Sequence, residues 1–372
     1  MFDHKHYVPI LRWKGGERAA LQKLDPVDKV KMTPLLELIP VDFVPKKRDD
    51  PIDIDGVLRK KAEELNKYWG DAPLFLDLRH LDQFNPTPLS SKGTHPLEFL
   101  NRELYSNQLS FLPSRASFIP VTGLNRSADY QAAVATIAKA DRRGACIRLC
   151  LDDIQRPSFQ NNLEHLLSYL GLRPEEVDLL VDYQVIENSS PSYVSVCNRL
   201  PNLQRWRTFT ISSGAFPVNL SGFEKNSQHE LPRLDWLTWR NQVLQSLPRR
   251  PSYSDYTIQH GIYSEPPRGA NFSASIRYTT EEFWVIMRGE GVRNEDGPGY
   301  EGYLGNAMLL TDRAEFCGAD FSYGDKYIKG MSLQSEKTGS AQTWIQAGIN
   351  HHLTFVVRQI ASLFGSSTGS AL

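Results

Sequence analysis

The stretch Leu74-Phe75-Leu76-Asp77-Leu78-Arg79-His80 decides how the rest of the chain is read. Side chains alternate along a β-strand, so Leu74, Leu76 and Leu78 share one face and Phe75, Asp77 and Arg79 the other. A strand that packs leucines on helices and turns a carboxylate and a guanidinium the opposite way needs a polar recess. A parallel barrel supplies one inside, near the C-terminal ends of its strands.

Seven further stretches repeat the arrangement, at 7–14, 33–41, 117–123, 145–151, 178–186, 206–213 and 253–260. Segments of helical pattern separate them, among them 52–69, 127–141, 157–170, 191–199 and 231–247. Ser127 has the place of an N-cap, and Gly171 that of a C-terminal stop. Eight strands alternating with helices predict parallel βαβ units and an α/β fold of the (β/α)8, TIM-like kind. An open doubly wound sheet with a C-terminal subdomain is the competing architecture. After the eighth strand the regularity breaks. Stretches 274–279 and 282–288 read as an inserted β-hairpin, and the glycine-rich run 289–305 as a lid or long loop. Residues 343–364 read as the eighth helix. The expected organisation is therefore 1–260 for barrel strands one to eight and helices one to seven, 261–342 for the insertion, and 343–372 for the closing helix.

The 372 residues are 40% hydrophobic and 23% charged, with a net charge of −1. This balance argues against coating nucleic acid by bulk attraction and leaves room for a local basic site. No run approaches the ~18 apolar residues of a membrane span, and the start has no signal-peptide pattern. Four cysteines are too few for a disulfide scaffold. Cys146 and Cys150 stand roughly 13 Å apart along one strand, too far to bridge. A cytoplasmic protein with reduced thiols and no membrane partner is expected.

The strand faces opposite the helix-packing aliphatics collect Glu37, Asp77, Arg79, Arg148, Asp182, Ser212, Asp255 and Gln259, with Arg12 or Lys14 as additions from the first strand. Three readings compete for this set. Arg79 and Arg148 hold a phosphate or carboxylate while Glu37 or Asp182 serves as base. Or Glu37, Asp77 and Asp182 bind a divalent metal through oxygen. Or the charges pair with one another and fill the barrel. Asp152-Asp153 reads better as a helix cap than as a metal pair. Ser212-Ser213-Gly214 resembles an amide-rich phosphate loop, and is equally an ordinary loop. Arg277 and Arg288, near Tyr278 and Trp284, suit either a grip on a phosphate or base, or a hairpin packed on its own domain. The glycine run lacks a P-loop ending, the histidines lack a His-Glu-x-x-His spacing, and no Gly-x-Ser-x-Gly elbow occurs. Trp236 and Trp239 read as the apolar face of the seventh helix.

Tyr7-Val8-Pro9-Ile10-Leu11-Arg12-Trp13-Lys14-Gly15-Gly16-Glu17, Thr33-Pro34-Leu35-Leu36-Glu37 and Leu76-Asp77-Leu78-Arg79 resemble the prokaryotic and phage "beta protein" family. Ile276-Arg277-Tyr278 and the stretch from Trp284 to Gly289 extend the likeness over nearly the whole chain. The resemblance implies a bacterial or phage setting, such as antiviral defence, and assigns no reaction or catalytic residue.

The residues themselves lead to a barrel whose mouth binds an anionic, phosphate-bearing ligand, a nucleotide or a nucleic-acid end. Glu37, Asp77 and Asp182 are its acid/base or metal ligands, and Arg79, Arg148, Ser212, Asp255, Gln259, Arg277 and Arg288 its ligand-binding groups. If the protein is an enzyme, phosphodiester hydrolysis is the class expected. The competing function is a non-catalytic protein that docks a partner from the same system through hairpin and lid.

Overall fold

The structure, a computed structural model, describes residues 2–44, 52–83, 88–106, 116–245, 247–265, 267, 269–335 and 338–365. Positions 366–372 of the expected closing segment lie outside the described residues. The strands are β1 (Ile10–Arg12), β2 (Leu35–Glu37), β3 (Leu74–Asp77), β4 (Phe118–Thr122), β5 (Ala145–Cys150), β6 (Val177–Val185), β7 (Thr208–Gly214), β8 (Ser227–Pro232), β9 (Ser252–Ser254), β10 (Ile276–Thr279) and β11 (Phe283–Arg288).

β1 to β7 and then β9 pair in that order, each parallel to the next. A parallel bridge between Tyr7 and Tyr253 joins the last strand to the first, helped by Val8 N–H on Tyr253 O (2.9 Å) and Ile10 N–H on Asp255 O (2.8 Å). A helix follows each of the eight, as the alternation predicts. The chain is thus a (β/α)8, TIM-like barrel. Ser127 accepts from Tyr130 N–H, Gly171 takes φ 66°, and Asp153 caps Cys150 N–H, each where its residue type favours it.

The alternation of the strands builds two cores. The aliphatics of the outer faces, with Trp206, Trp236 and Trp239, pack under the helices. Inside the ring lies a separate apolar plug that includes Ile10, Leu35, Phe75, Cys146 and Leu180. Two residues further along each of these five strands stand Arg12, Glu37, Asp77, Arg148 and Asp182, all buried. A charged layer therefore sits on an apolar one, toward the C-terminal ends.

The insertion is more than a hairpin. β10 and β11 are antiparallel, and β8 adds to β11 to make a three-stranded sheet. β8 falls where the sequence reading put the start of a helix from 231, and the helix itself spans Leu234–Val243. The cause is visible in Ser227–Pro232, whose exposure alternates residue by residue, an edge strand with too little apolar content to show in the sequence. The glycine run is not an open lid throughout. Helices Gly302–Thr311 and Tyr323–Ser332 occupy the region from 302 on and pack together.

A buried polar seam joins insertion, barrel and the last helix, Ala341–Gly365. Tyr7 Oη donates to Asp255 Oδ1 (2.6 Å), and Asp255 Oδ2 lies 3.0 Å from His352 Nε2. His352 Nδ1 meets Thr279 Oγ1 on β10 (2.8 Å). The neighbouring His351 lies 2.8 Å from Thr279 O and 2.8 Å from Asp325 Oδ2, which belongs to Tyr323–Ser332.

Candidate functional site

The charged layer is centred on Arg148. A guanidinium has five N–H donors in a fixed fork, and Arg148 uses all of them inside the barrel. Nη1 donates to Glu37 Oε1 (2.7 Å) and Asp77 Oδ2 (2.8 Å). Nε and Nη2 both donate to Asp182 Oδ2 (3.0 and 2.8 Å), and Nη2 also to Tyr256 Oη (2.8 Å). Tyr256 Oη in turn donates a hydrogen bond to Asp182 Oδ2 (2.7 Å).

Each carboxylate has a second arginine on the side of the mouth. Arg12 Nε is 3.7 Å from Glu37, Arg126 Nη2 is 3.1 Å from Asp77, and Arg79 Nη1 is 3.8 Å from Asp182. His80 Nε2 is 3.2 Å from Glu37 Oε2. Four guanidinium groups against three carboxylates leave one positive charge over. Burial pushes Glu37 up, but Arg148, His80 and Arg12 outweigh it and hold the group well below the usual carboxylate range. Asp77 is likewise depressed: burial raises it, while Arg126, Arg148 and Arg79 lower it further.

This geometry does not suit a metal at Glu37, Asp77 and Asp182. The Arg148 guanidinium stands between the three, where a cation would have to be. Among the described residues no group of three or more His, Cys, Asp or Glu side chains is disposed to hold a metal ion.

The other candidates are spread unevenly. Arg79 follows the end of β3, so it leaves the strand alternation, and its side chain donates no hydrogen bond among the described residues. Ser212 is paired in register with Asp182, and its buried Oγ has no hydrogen-bond partner among the described residues. Ser212-Ser213-Gly214 is the end of β7 itself rather than a loop. Asp255 faces outward, to His352 and Tyr7, because β9 ends at Ser254 and it is Tyr256 that turns inward. The inward phase read for that strand was off by one. Arg288 lies along the insertion, bound to Leu220 O (3.0 Å) and Gly289 O (3.0 Å), and does not reach the mouth cavity.

Gln259 and Arg277 line that cavity, a space of about 440 Å³ between the mouth and the insertion, together with Arg12, Lys14 and Glu17. The loop after β9 forms one wall. It can lie close only because residue 261 is glycine: a Cβ there would stand 2.0 Å from Gln184 O. Arg12 belongs to both places. Beside Glu37, its Nη1 donates to Gln259 Oε1 (3.1 Å) and its Nη2 to His260 O (2.7 Å). Gln259 Nε2 in turn donates to Glu17 Oε1 (2.5 Å). Lys14 is paired with Glu265 (3.1 Å).

Arg277 is different. It donates to Ile258 O (2.9 Å) and lies over the Phe216 ring at 4.9 Å, and it pairs with no carboxylate among the described residues. Burial pushes it down to about 10, so it stays protonated at neutral pH. Burial raises Glu17, the buried carboxyl of this cavity. Next to the cavity, Thr257 takes φ 59°, a strained conformation for a β-branched residue, and its buried Oγ1 has no hydrogen-bond partner among the described residues.

Sequence reasoning missed Arg126, Tyr256, His80 and Glu17 as site residues. His80 and Glu17 were both within the quoted motifs: His80 follows the end of β3 closely, and Glu17 lies in the first turn of the helix after β1, on the side where barrel sites are built. Arg126 sits in the loop between β4 and its helix, which is the same signal.

Fold and site together define a (β/α)8 barrel with an arginine-carboxylate layer beneath a basic cavity at its C-terminal mouth. A family model described as "Beta protein" matches residues 7–358, and the chain belongs to that family. No curated protein matches the chain. Among the described residues no helix is long and apolar enough to cross a membrane.

Proposed function

We propose that this protein binds an anionic, phosphate-bearing ligand in the cavity lined by Arg12, Lys14, Gln259 and Arg277. One observation carries the reading: Arg277 keeps its charge at the cavity wall and forms no ion pair with a carboxylate among the described residues. Arginine suits such a role because its planar fork matches phosphate oxygens. Late-strand loops, here those after β7 and β9, are also where barrels hold phosphate.

Arg148, Glu37, Asp77 and Asp182 fall in this reading to the scaffold, since each is already engaged by an opposite charge. The reaction class to test is phosphodiester hydrolysis, in a phage-encoded or phage-defence setting. Water would add to phosphorus, the ester P–O bond would break, the leaving oxygen would take a proton from Glu17, whose burial favours the neutral acid, and the proton given up by the water would pass through solvent and restore Glu17. The deciding experiment is calorimetric titration of the whole chain with inorganic phosphate and with a nucleoside 5′-monophosphate. Saturable binding that Arg277→Gln weakens at least roughly tenfold supports the reading, in line with the strength of a charge-assisted hydrogen bond. Absence of binding by the wild-type protein defeats it.

A further inference from the structure

The basic cavity has a neighbour of different chemistry. A second hollow of about 480 Å³ shares Phe272 and Glu265 with it, and its other walls include Pro40, Val41, Val44 and Tyr263. These walls are apolar. Phe272 stands at the rim common to both spaces. Its backbone is held firmly, Val292 N–H donating to Phe272 O (2.8 Å) and Ser273 bridging Gly291, yet the ring is 49% exposed. Val41 and Val44 across the hollow are exposed as well. A large ring fixed by its backbone and left open to solvent, beside a cationic recess, is a surface awaiting an apolar group.

Tyr263 lines the second hollow and touches Lys14 and Glu265, which line the first. Its ring lies 4.8 Å from His80 and 5.1 Å from Lys14 Nζ, and its Oη bonds Glu265. On the far side Arg293 donates to Gly269 O (3.1 Å) and pairs with no carboxylate among the described residues. A ligand crossing the Phe272 rim therefore meets arginine and lysine at one end. At the other it meets aromatic and proline faces with a guanidinium at the edge.

Resting on the anion-binding reading above, we propose that the second hollow is a base subsite, so that the ligand class is a nucleoside phosphate. The phosphate lies with Arg12 and Arg277, and the base stacks on Phe272 against Pro40 and Val41. Stacking on an aromatic ring tolerates any base, and no base-specific donor pattern is invoked. The same chemistry is offered by a free nucleotide and by the terminal nucleotide of a strand.

Calorimetry on the full chain separates the parts of this inference, with inorganic phosphate, ribose 5-phosphate, hexyl phosphate, AMP and a 5′-phosphorylated dinucleotide as probes. AMP is expected to bind at least roughly tenfold tighter than ribose 5-phosphate, the lower range for stacking one base. Phe272→Ala should bring AMP to the level of ribose 5-phosphate and leave the latter unchanged, and Phe272→Trp should keep the preference. Arg277→Gln should weaken both. Unchanged melting temperatures show that the variants are folded. A dinucleotide that binds at least as well as AMP marks a strand end as the ligand; a weaker one marks a free nucleotide. If ribose 5-phosphate or hexyl phosphate matches AMP, or if Phe272→Ala leaves AMP binding intact, the base subsite is overturned while the anion site stands. If no phosphate binds at all, the anion site falls and the base subsite with it.

Discussion

Arg148 and Arg277 are two arginines of one barrel in opposite situations. Arg148 spends all five donors on Glu37, Asp77, Asp182 and Tyr256, beneath the mouth and shut off from solvent. Arg277, at the cavity wall, has one backbone carbonyl and one aromatic face. Residue type and strand position are alike, since both come from the middle of a β-strand. The difference lies in the number of carboxylates that pair with each among the described residues, three for Arg148 and none for Arg277. A guanidinium whose donors are met inside the fold orders the strands; one that is short of partners is available to something that arrives.

The sharpest break of this contrast is Arg148→Met. It leaves three buried carboxylates without their shared partner, and removing one side of a buried ion pair costs about 3–5 kcal/mol. Urea unfolding at pH 7 should show a loss of that size. Glu37 and Asp77 are depressed in the native protein, so their contribution is present above the ordinary carboxylate values of about 4 and is lost as pH falls through the lower folded values. Without Arg148 both groups rise toward or above those values. The penalty of the variant should therefore shrink as pH falls from 7 through about 4 toward the lower native values, and a penalty that stays flat over that whole range would mean that the charges are not what Arg148 stabilises.

A smaller effect is expected from Tyr256→Phe. The hydroxyl accepts from Arg148 and donates to Asp182, and its loss leaves one N–H of the guanidinium unmet, at a cost of about 1–3 kcal/mol. A variant as stable as the native protein would show that the tyrosine merely fills space above the plug.

The seam under the insertion provides a milder test, because it holds histidine where the layer holds arginine. Burial pushes His352 below its ordinary value of about 6.5, and Asp255 opposes this without cancelling it, while Arg233 and His351 add to the lowering. A lowered histidine contributes stability that is held above about pH 6.5 and lost as pH falls toward the folded value. Amide protection factors for 276–288 should accordingly drop between pH 7.5 and 5.5, while those of 145–150 hold, since the depressed carboxylates Glu37 and Asp77 keep their charge throughout that range. Equal losses in both segments would deny the two regions separate responses.

How far the sequence foretold this depends on what each residue's position encodes. Alternation and the helix caps are local signals, and they located the barrel and the convergence of charges from Glu37 to Asp182, while the apolar plug beneath them went unread. The phase of the last strand was lost because β9 is only three residues long and Asp255 finds His352 ninety-seven positions away, a partner that no local pattern announces. β8 was missed for a related reason, as it is held by β11 through pairing distant in sequence and not by its own polar composition. The saturation of Arg148 was likewise not legible. Sequence shows that charges converge but not how many donors remain after they meet, and that count is what separates a scaffold arginine from one free for a ligand.

Arg277→Gln is the substitution with the least expected effect on stability and is the one on which the contrast turns. The change gives up a hydrogen bond to Ile258 O, worth about 0.5–1.5 kcal/mol net, and part of the contact with Phe216. It also removes a positive charge whose burial is itself unfavourable, as the lowering of its pKa to about 10 records. The two terms oppose each other, so the melting temperature should move by no more than a few degrees, corresponding to about 1 kcal/mol or less. The same substitution at Arg148 has no such compensation, because there the charge is matched. If Arg277→Gln proves as damaging to the fold as Arg148→Met, Arg277 is a second scaffold arginine. A near-native melting temperature, with phosphate binding reduced, is the combination that only a ligand-facing arginine would produce.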